Sequence, residues 1–157
     1  MERVNAIIAH PDFLEAMSEI KKLEKKRIFC GHDLEHLLSV ARIMYLTVLN
    51  EKIDIDKEII YSTALLHDLG RAIQYKSGSA HAIESVKIAK KILEDVGFDR
   101  ETIDYISTAI KEHNTETTTE LSRILKYADK QSRNCFMCDA IKECKWSDEK
   151  KNMGVVL

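Results

Sequence analysis

The 157-residue chain holds one proline and five glycines. That is too little punctuation for the tight turns of a strand-rich domain, so the scarcity favours helices. No apolar run approaches the ~20 residues needed to span a bilayer, and residues 1–5 lack the apolar core of a signal peptide. The expectation is a cytoplasmic protein whose four cysteines are reduced. A dominant charge is missing too. The formal charge is −2 and the pI near 6.3, which argues against a nucleic-acid polymer or a membrane as partner. No repeat, linker or low-complexity stretch divides the chain. With 45% hydrophobic and 32% charged residues, it has the balance of a folded domain. One domain of this length buries a full core without staples.

What the chain does have is apolar residues at helical spacing. Pro11 opens a helix expected to run to about Lys26, with Phe13, Leu14, Met17, Ile20 and Leu23 on one face. It reads as a cover helix within an N-terminal segment 1–30. Asp33 caps a second helix, where His36, Val40, Ile43 and Thr47 form a stripe beside Leu37, Ala41, Met44 and Val48. A third starts near Asp56 and carries Ile59, Ile60, Thr63 and Ala64 toward His67. A loop over residues 74–79 precedes a fourth helix, which holds His81, Ala82, Val86, Ala89 and Leu93 and ends at Gly97. Asp99 caps a fifth, with Ile103, Ile106, Ile110 and His113 on one face, and a sixth from about Thr119 aligns Leu121, Leu125 and Asp129. The expected fold is all-α: a single-domain bundle of six or more helices over residues 1–157, closed by a cysteine-containing cap at 134–157.

Residues 64–71, Ala-Leu-Leu-His-Asp-Leu-Gly-Arg, place His67 and Asp68 at the end of an apolar run. A buried carboxylate costs several kcal/mol without a cation or a dense set of donors, so the pair suits the wall of a metal site. The plainer alternative is an exposed helix end, with Gly70 as the residue after the last turn. His36, His113 and Asp129 lie on apolar stripes as well, and His81 opens a helix. Separate hydrogen-bonded sites are one explanation; a shared metal centre accounts for all of them together. His10 stands apart from this set.

These residues resemble the HD-domain metal-dependent phosphohydrolases over about residues 32–133. His36 in His-Leu-Leu-Ser-Val, His67-Asp68 and Asp129 in Tyr-Ala-Asp-Lys match the family's H…HD…D ligand order. The fold implied is the HD-domain helical bundle. Two-metal members are also similar at His81 and His113. The resemblance then implies one metal on His36, His67, Asp68 and Asp129, with Asp68 bridging to a second on His81 and His113. The single-metal alternative gives His81 and His113 to the substrate. A mixed nitrogen and oxygen set suits Fe, Mn, Co, Ni or Zn. Asp68, His32, Arg71 and Lys130 are the catalytic candidates. His32 lies one turn before His36, within reach of substrate as a proton donor, and Asp33 is structural. Arg71 and Lys130, with Arg133 behind them, are the basic groups nearest in sequence for a phosphoryl charge; the alternative is solvated helix ends.

The cysteines admit two readings. Cys135 and Cys138 have C-x2-C spacing, and with Cys144 and Cys30 they could hold a structural zinc beside the pocket. Alternatively they are buried thiols packed with Phe136, Met137 and Trp146 in a C-terminal cap helix. The expected activity is hydrolysis of phosphate from a nucleotide or other small phosphorylated molecule by a metal-activated water. A mixed-valent di-iron oxygenase on the same fold and a non-catalytic nucleotide- or metal-binding protein are the alternatives. A homodimer is left open.

Overall fold

Among residues 1–155, which the computed structural model describes, every regular element is helical. In order they are α1 (Glu2–Ala9), α2 (Pro11–Leu23), α3 (Leu34–Glu51), α4 (Lys57–Leu66), α5 (Arg71–Ser77), α6 (His81–Asp95), α7 (Arg100–Glu112) and α8 (Glu120–Gln131), then 3₁₀ turns at Cys135–Met137 and Asp148–Lys150.

Side-chain caps fix several helix starts. Asp33 accepts from the backbone N–H of His36 at 2.9 Å, Asp56 from Glu58 at 2.7 Å and Asp99 from Thr102 at 2.9 Å. Thr119 and Ser122 form a reciprocal capping box. His10 accepts from the N–H of Asp12 at 3.1 Å, which gives this histidine a structural task at the start of α2.

Helix α3 forms the spine. Its Leu37, Val40, Ala41 and Met44 recur at i, i+3, i+4 and i+7, all fully buried, and face α4 and α8. Ile60, Ala64 and Leu65 of α4, Ile106 and Ile110 of α7 and Leu121, Ile124 and Leu125 of α8 complete one continuous core. Each large aliphatic side chain buried there contributes about 1.5–3 kcal/mol. Helix α6 closes one side with Ala89, Ile92 and Leu93, and α2 covers α5 and α6 with Phe13, Ala16 and Ile20.

The chain departs from the sequence expectation at four places. Helix α1 is an element the pattern did not announce; its eight residues bury only Val4 and Ile7, and Arg3 pairs with Glu58 of α4 at 2.8 Å. Helix α2 stops at Leu23, short of Lys26. Residues 74–77, expected as loop, belong to α5, whose left-handed end at Gly78 has φ of 78°. Among the described residues the C-terminal segment has no α-helix, only the two 3₁₀ turns. Its charged run from Lys142 to Lys151 carries too few apolar residues for a packed helical face. Val156 and Leu157, the last residues of the expected cap, lie outside the described part.

Gly70 decides how α6 meets the rest. Its φ of −73° is open to any residue, so its need for glycine is spatial and not torsional. A Cβ there would stand 2.3 Å from the carbonyl oxygen of His81 and 2.5 Å from the backbone nitrogen of Ser85. The Gly70 N–H instead donates to Ser85 Oγ at 2.8 Å. The missing side chain lets the first turn of α6 press against the turn holding Asp68.

Candidate metal centre

The helices deliver the candidate ligands from their ends as much as from their faces. His36 sits in the first turn of α3, His67 and Asp68 follow α4, and His81 is the first residue of α6. His113 closes α7, and Asp129 lies on the inner stripe of α8. All six are buried.

Their donor atoms form two groups sharing one carboxylate. Asp68 Oδ2 lies 3.7 Å from His36 Nε2 and 3.2 Å from His67 Nε2; Asp129 Oδ1 is 3.3 and 3.7 Å from the same two nitrogens. The other Asp68 oxygen, Oδ1, faces His81 Nε2 at 3.4 Å and His113 Nε2 at 3.9 Å. Ligands around a first-row cation with bonds of about 2.0–2.2 Å stand about 3–4 Å apart, so the spacing fits. The expected pairing of His36 with Asp129 is thus a contact, well inside a helix diameter.

Backbone carbonyls orient the rings. His67 Nδ1 donates to the oxygen of Ala64 at 2.7 Å and His113 Nδ1 to that of Ile110 at 2.6 Å, which turns both Nε2 atoms inward. Ser132 Oγ holds His36 Nδ1 at 3.1 Å. Three buried atoms at the centre, His67 Nε2, Asp68 Oδ2 and Asp129 Oδ1, have no hydrogen-bond partner. A buried polar atom left alone costs about 1–3 kcal/mol, and a cation between these three would satisfy them together. The donor set therefore fits a metal.

The electrostatics agree. Burial opposes ionisation of Asp68, yet the His67 charge, His36 and Arg71 outweigh it and hold the carboxyl well below the usual range. Asp129 is likewise held low against burial by His36 and His67. Two ionised carboxylates at this depth require positive charge nearby. Burial would lower His67, but Asp68 and Asp129 overcome it and raise the imidazole to about 10. Burial and the Arg71 charge push His81 down to about 3, and burial also lowers His113, so this second pair is neutral with lone pairs to offer.

A pocket of about 480 Å³, lined by Arg71, His81, Asn114, Asp129, Arg133 and Trp146 among others, opens over the centre. Arg71 Nε donates to Asp68 Oδ1 at 2.8 Å. Arg133 is buried, with Nη2 at 2.9 Å from His36 Nε2 and 3.6 Å from Asp129 Oδ1. Lys130 corrects the sequence expectation: it is half-buried and absent from the pocket lining. One residue past Asp129 it is turned about 100° around α8, whereas Arg133, in the turn after α8, reaches back to Asp129 and His36. His32 lies in the pocket, buried, with Nε2 at 3.8 Å from Asp68 Oδ2. Asp33 is the helix cap.

The cysteines are placed differently from both expectations. Cys30 is exposed and Cys135, Cys138 and Cys144 are half-buried. Phe136 and Met137 are exposed, so no buried thiol core forms. All four thiols border the pocket, yet no three of them come close enough together to share an ion. The four-cysteine zinc site is therefore not assembled.

Sequence reasoning missed two residues here. Asn114 follows His113 directly, and its amide nitrogen lies 2.9 Å from His81 Nε2 and 2.7 Å from His113 Nε2. Glu24 is the lone acid in Lys21-Lys22-Leu23-Glu24-Lys25-Lys26-Arg27. An acid kept inside a basic run was the available signal.

Known proteins are similar at several levels. An uncharacterised protein of Clostridium beijerinckii is 41% identical over 99% of both chains. Ribonuclease Y of Mycoplasma mycoides is 27% identical over 118 residues, 74% of this chain but only 26% of that protein. The crystal structure of a protein described as a predicted HD superfamily hydrolase, from an uncultured Thermotogales bacterium, superposes with a TM-score of 0.65. It is 24% identical and covers 89% of this chain and 81% of that one. No helix of the described residues is long and apolar enough to cross a membrane. Residues 33–134, which carry His36, His67, Asp68, His81, His113 and Asp129, match the HD domain, and the chain belongs to that family.

Proposed function

We propose that this protein is a metal-dependent phosphohydrolase that cleaves phosphate from a nucleotide or another small phosphorylated molecule. The observation that carries the reading is Asp68: one buried carboxylate whose two oxygens face two different sets of inward imidazoles, with guanidinium groups beside both. His36, His67, Asp68 and Asp129 would hold one ion, and Asp68, His81 and His113 a second, drawn from Fe, Mn, Co, Ni or Zn. Bound there, the ions lower the pKa of a coordinated water and polarise a phosphoryl oxygen.

The chain supplies the rest. Arg71 and Arg133 flank the centre from opposite sides, where they neutralise phosphoryl oxygens as charge develops. Their present partners, Asp68 and His36, are ligands, so an incoming anion and the ions would take over those contacts together. The pocket volume of about 480 Å³ suits a small molecule. The net charge of −2 weighs against a polyanion as the main partner, yet Lys21, Lys22, Lys25, Lys26 and Arg27 form an exposed basic run. The name of the ribonuclease Y relative makes RNA the necessary control.

The test is phosphate release by metal-loaded protein from 5′-nucleoside monophosphates, p-nitrophenyl phosphate and an RNA oligonucleotide. Release from the small esters, abolished by a chelator and restored by added metal, is expected. Oxygen consumption without phosphate release would overturn the reading in favour of oxygenase chemistry, and cleavage of the oligonucleotide alone would overturn the substrate class. Trp146, the single tryptophan, borders the pocket, so quenching of its fluorescence reports binding separately from turnover.

A further inference from the structure

Glu24 precedes the family-matched stretch, which begins at residue 33. Nothing in the H…HD…D ligand order accounts for its contact with His32. Yet His32 is 4% exposed and is held by one carboxylate at both its ring and its backbone. Its Nδ1 lies 2.5 Å from Glu24 Oε1, and its backbone N–H donates to Glu24 Oε2 at 2.8 Å. The Tyr75 hydroxyl of α5 donates to the same Glu24 Oε1, also at 2.5 Å. Glu24 thus receives three donors. Burial works against its ionisation, but the bonds from His32 and Tyr75 prevail and keep it low, at about 2.

A carboxylate accepting at Nδ1 fixes which ring nitrogen bears the proton. Burial lowers the His32 pKa and favours the neutral ring; in that form the free lone pair is on Nε2, which points at the metal centre, 3.8 Å from Asp68 Oδ2. The loop carrying His32 is braced for this. Arg27 Nε donates to the carbonyl of Cys30 at 3.0 Å, and Arg133 Nη1 donates to the carbonyl of Gly31. A Cβ on Gly31 would lie 3.2 Å from Glu24 Oε2, so glycine leaves room for the carboxylate to reach the His32 backbone.

We infer that Glu24, supported by Tyr75, is a positioning residue: it holds His32 in the Nδ1–H form, with Nε2 accepting a hydrogen bond from the attacking water beside Asp68. The separation of 3.8 Å is too long for a direct bond and leaves space for that water's oxygen to one side. The α2 cover helix thereby contributes to the chemistry as well as to packing. This inference rests on the phosphohydrolase reading for its kinetic consequence but not for its geometric one.

The experiment uses full-length zinc-loaded protein, wild type against Glu24→Met, Glu24→Gln and Tyr75→Phe. Histidine side-chain ¹⁵N NMR reads the tautomer, elemental analysis the metal content, and initial rates with a 5′-nucleoside monophosphate the kinetics. Wild type is expected to show His32 protonated at Nδ1. Glu24→Met, which removes the acceptor at similar volume, should lose that state, keep its metal and lower kcat about 10–100-fold with KM little changed, the usual scale for a residue behind the reacting groups. Glu24→Gln keeps an acceptor oxygen and should rescue part of both. Tyr75 is partly exposed, so Tyr75→Phe folds and gives a smaller loss of the same kind. An unaltered His32 tautomer in Glu24→Met, or loss of metal from it, overturns the inference. Should wild type release no phosphate while the tautomer depends on Glu24, the phosphohydrolase reading fails and the positioning claim stands.

Discussion

The two halves of the centre are built on opposite electrostatic plans. His36 and His67 face two carboxylates, Asp68 and Asp129, all buried. His81 and His113 face one oxygen of Asp68 and the amide of Asn114. The first set places a protonated imidazole, His67, between two ionised carboxylates; the second sets two neutral imidazoles against the shared Asp68 carboxylate alone. Two chemically similar sites within one bundle therefore differ in what an incoming ion must displace.

Asp68→Ala should have the largest effect, because both sets lose their common ligand. Elemental analysis is expected to find neither ion retained in stoichiometric amount, with hydrolysis below detection; retention of either full equivalent would break the pairing. Gly70→Ala comes next. The new Cβ meets backbone and not a flexible side chain, so α6 must shift. A stability loss of about 1–3 kcal/mol by denaturant titration is expected, together with loss of metal from the His81–His113 set and not from the other. His81→Ala should reduce two equivalents of metal to one while the melting transition stays cooperative.

Proton release sharpens the comparison further. At pH 7 His67, raised to about 10, carries a proton that a cation must expel. His81, lowered to about 3, carries none. Affinity at the first set should therefore rise with pH between about 7 and 10, by about tenfold per unit for one displaced proton, while the second set stays flat. Calorimetry of metal binding in buffers of different ionisation enthalpy measures the difference; equal release at both sets would contradict it. The smallest effect is expected for Lys130→Ala, with kcat and KM within about twofold of wild type, since a half-exposed surface substitution changes little.

The contrast also shows what the sequence could carry. The helical class, the caps Asp33 and Asp99, the helix starts near Asp56 and Thr119, and the convergence of inward polar residues were legible because burial imposes a periodic pattern and cap residues mark its ends. Lys130 and Arg133 were ranked by distance along the chain, where the angle around α8 turns Lys130 away and the turn after α8 brings Arg133 back to His36. The role of Gly70 was not legible either: the clash partner lies eleven residues on, at His81, and only the fold brings them together. Helix α1 escaped because two buried residues in eight do not make a periodic signal. In the C-terminal segment, cysteine spacing suggested an order that packing does not provide.

Asp68 has one further consequence. A group with one oxygen in each set cannot respond to one side alone, because rotation or protonation of that carboxyl alters both surroundings at once. On the two-ion reading proposed above, whatever factor the first ion imposes on the affinity for the second, the second must impose on the first. Two independent dissociation constants would then not describe the centre; a titration would have to be fitted with a reciprocal coupling free energy, seated in a single carboxylate.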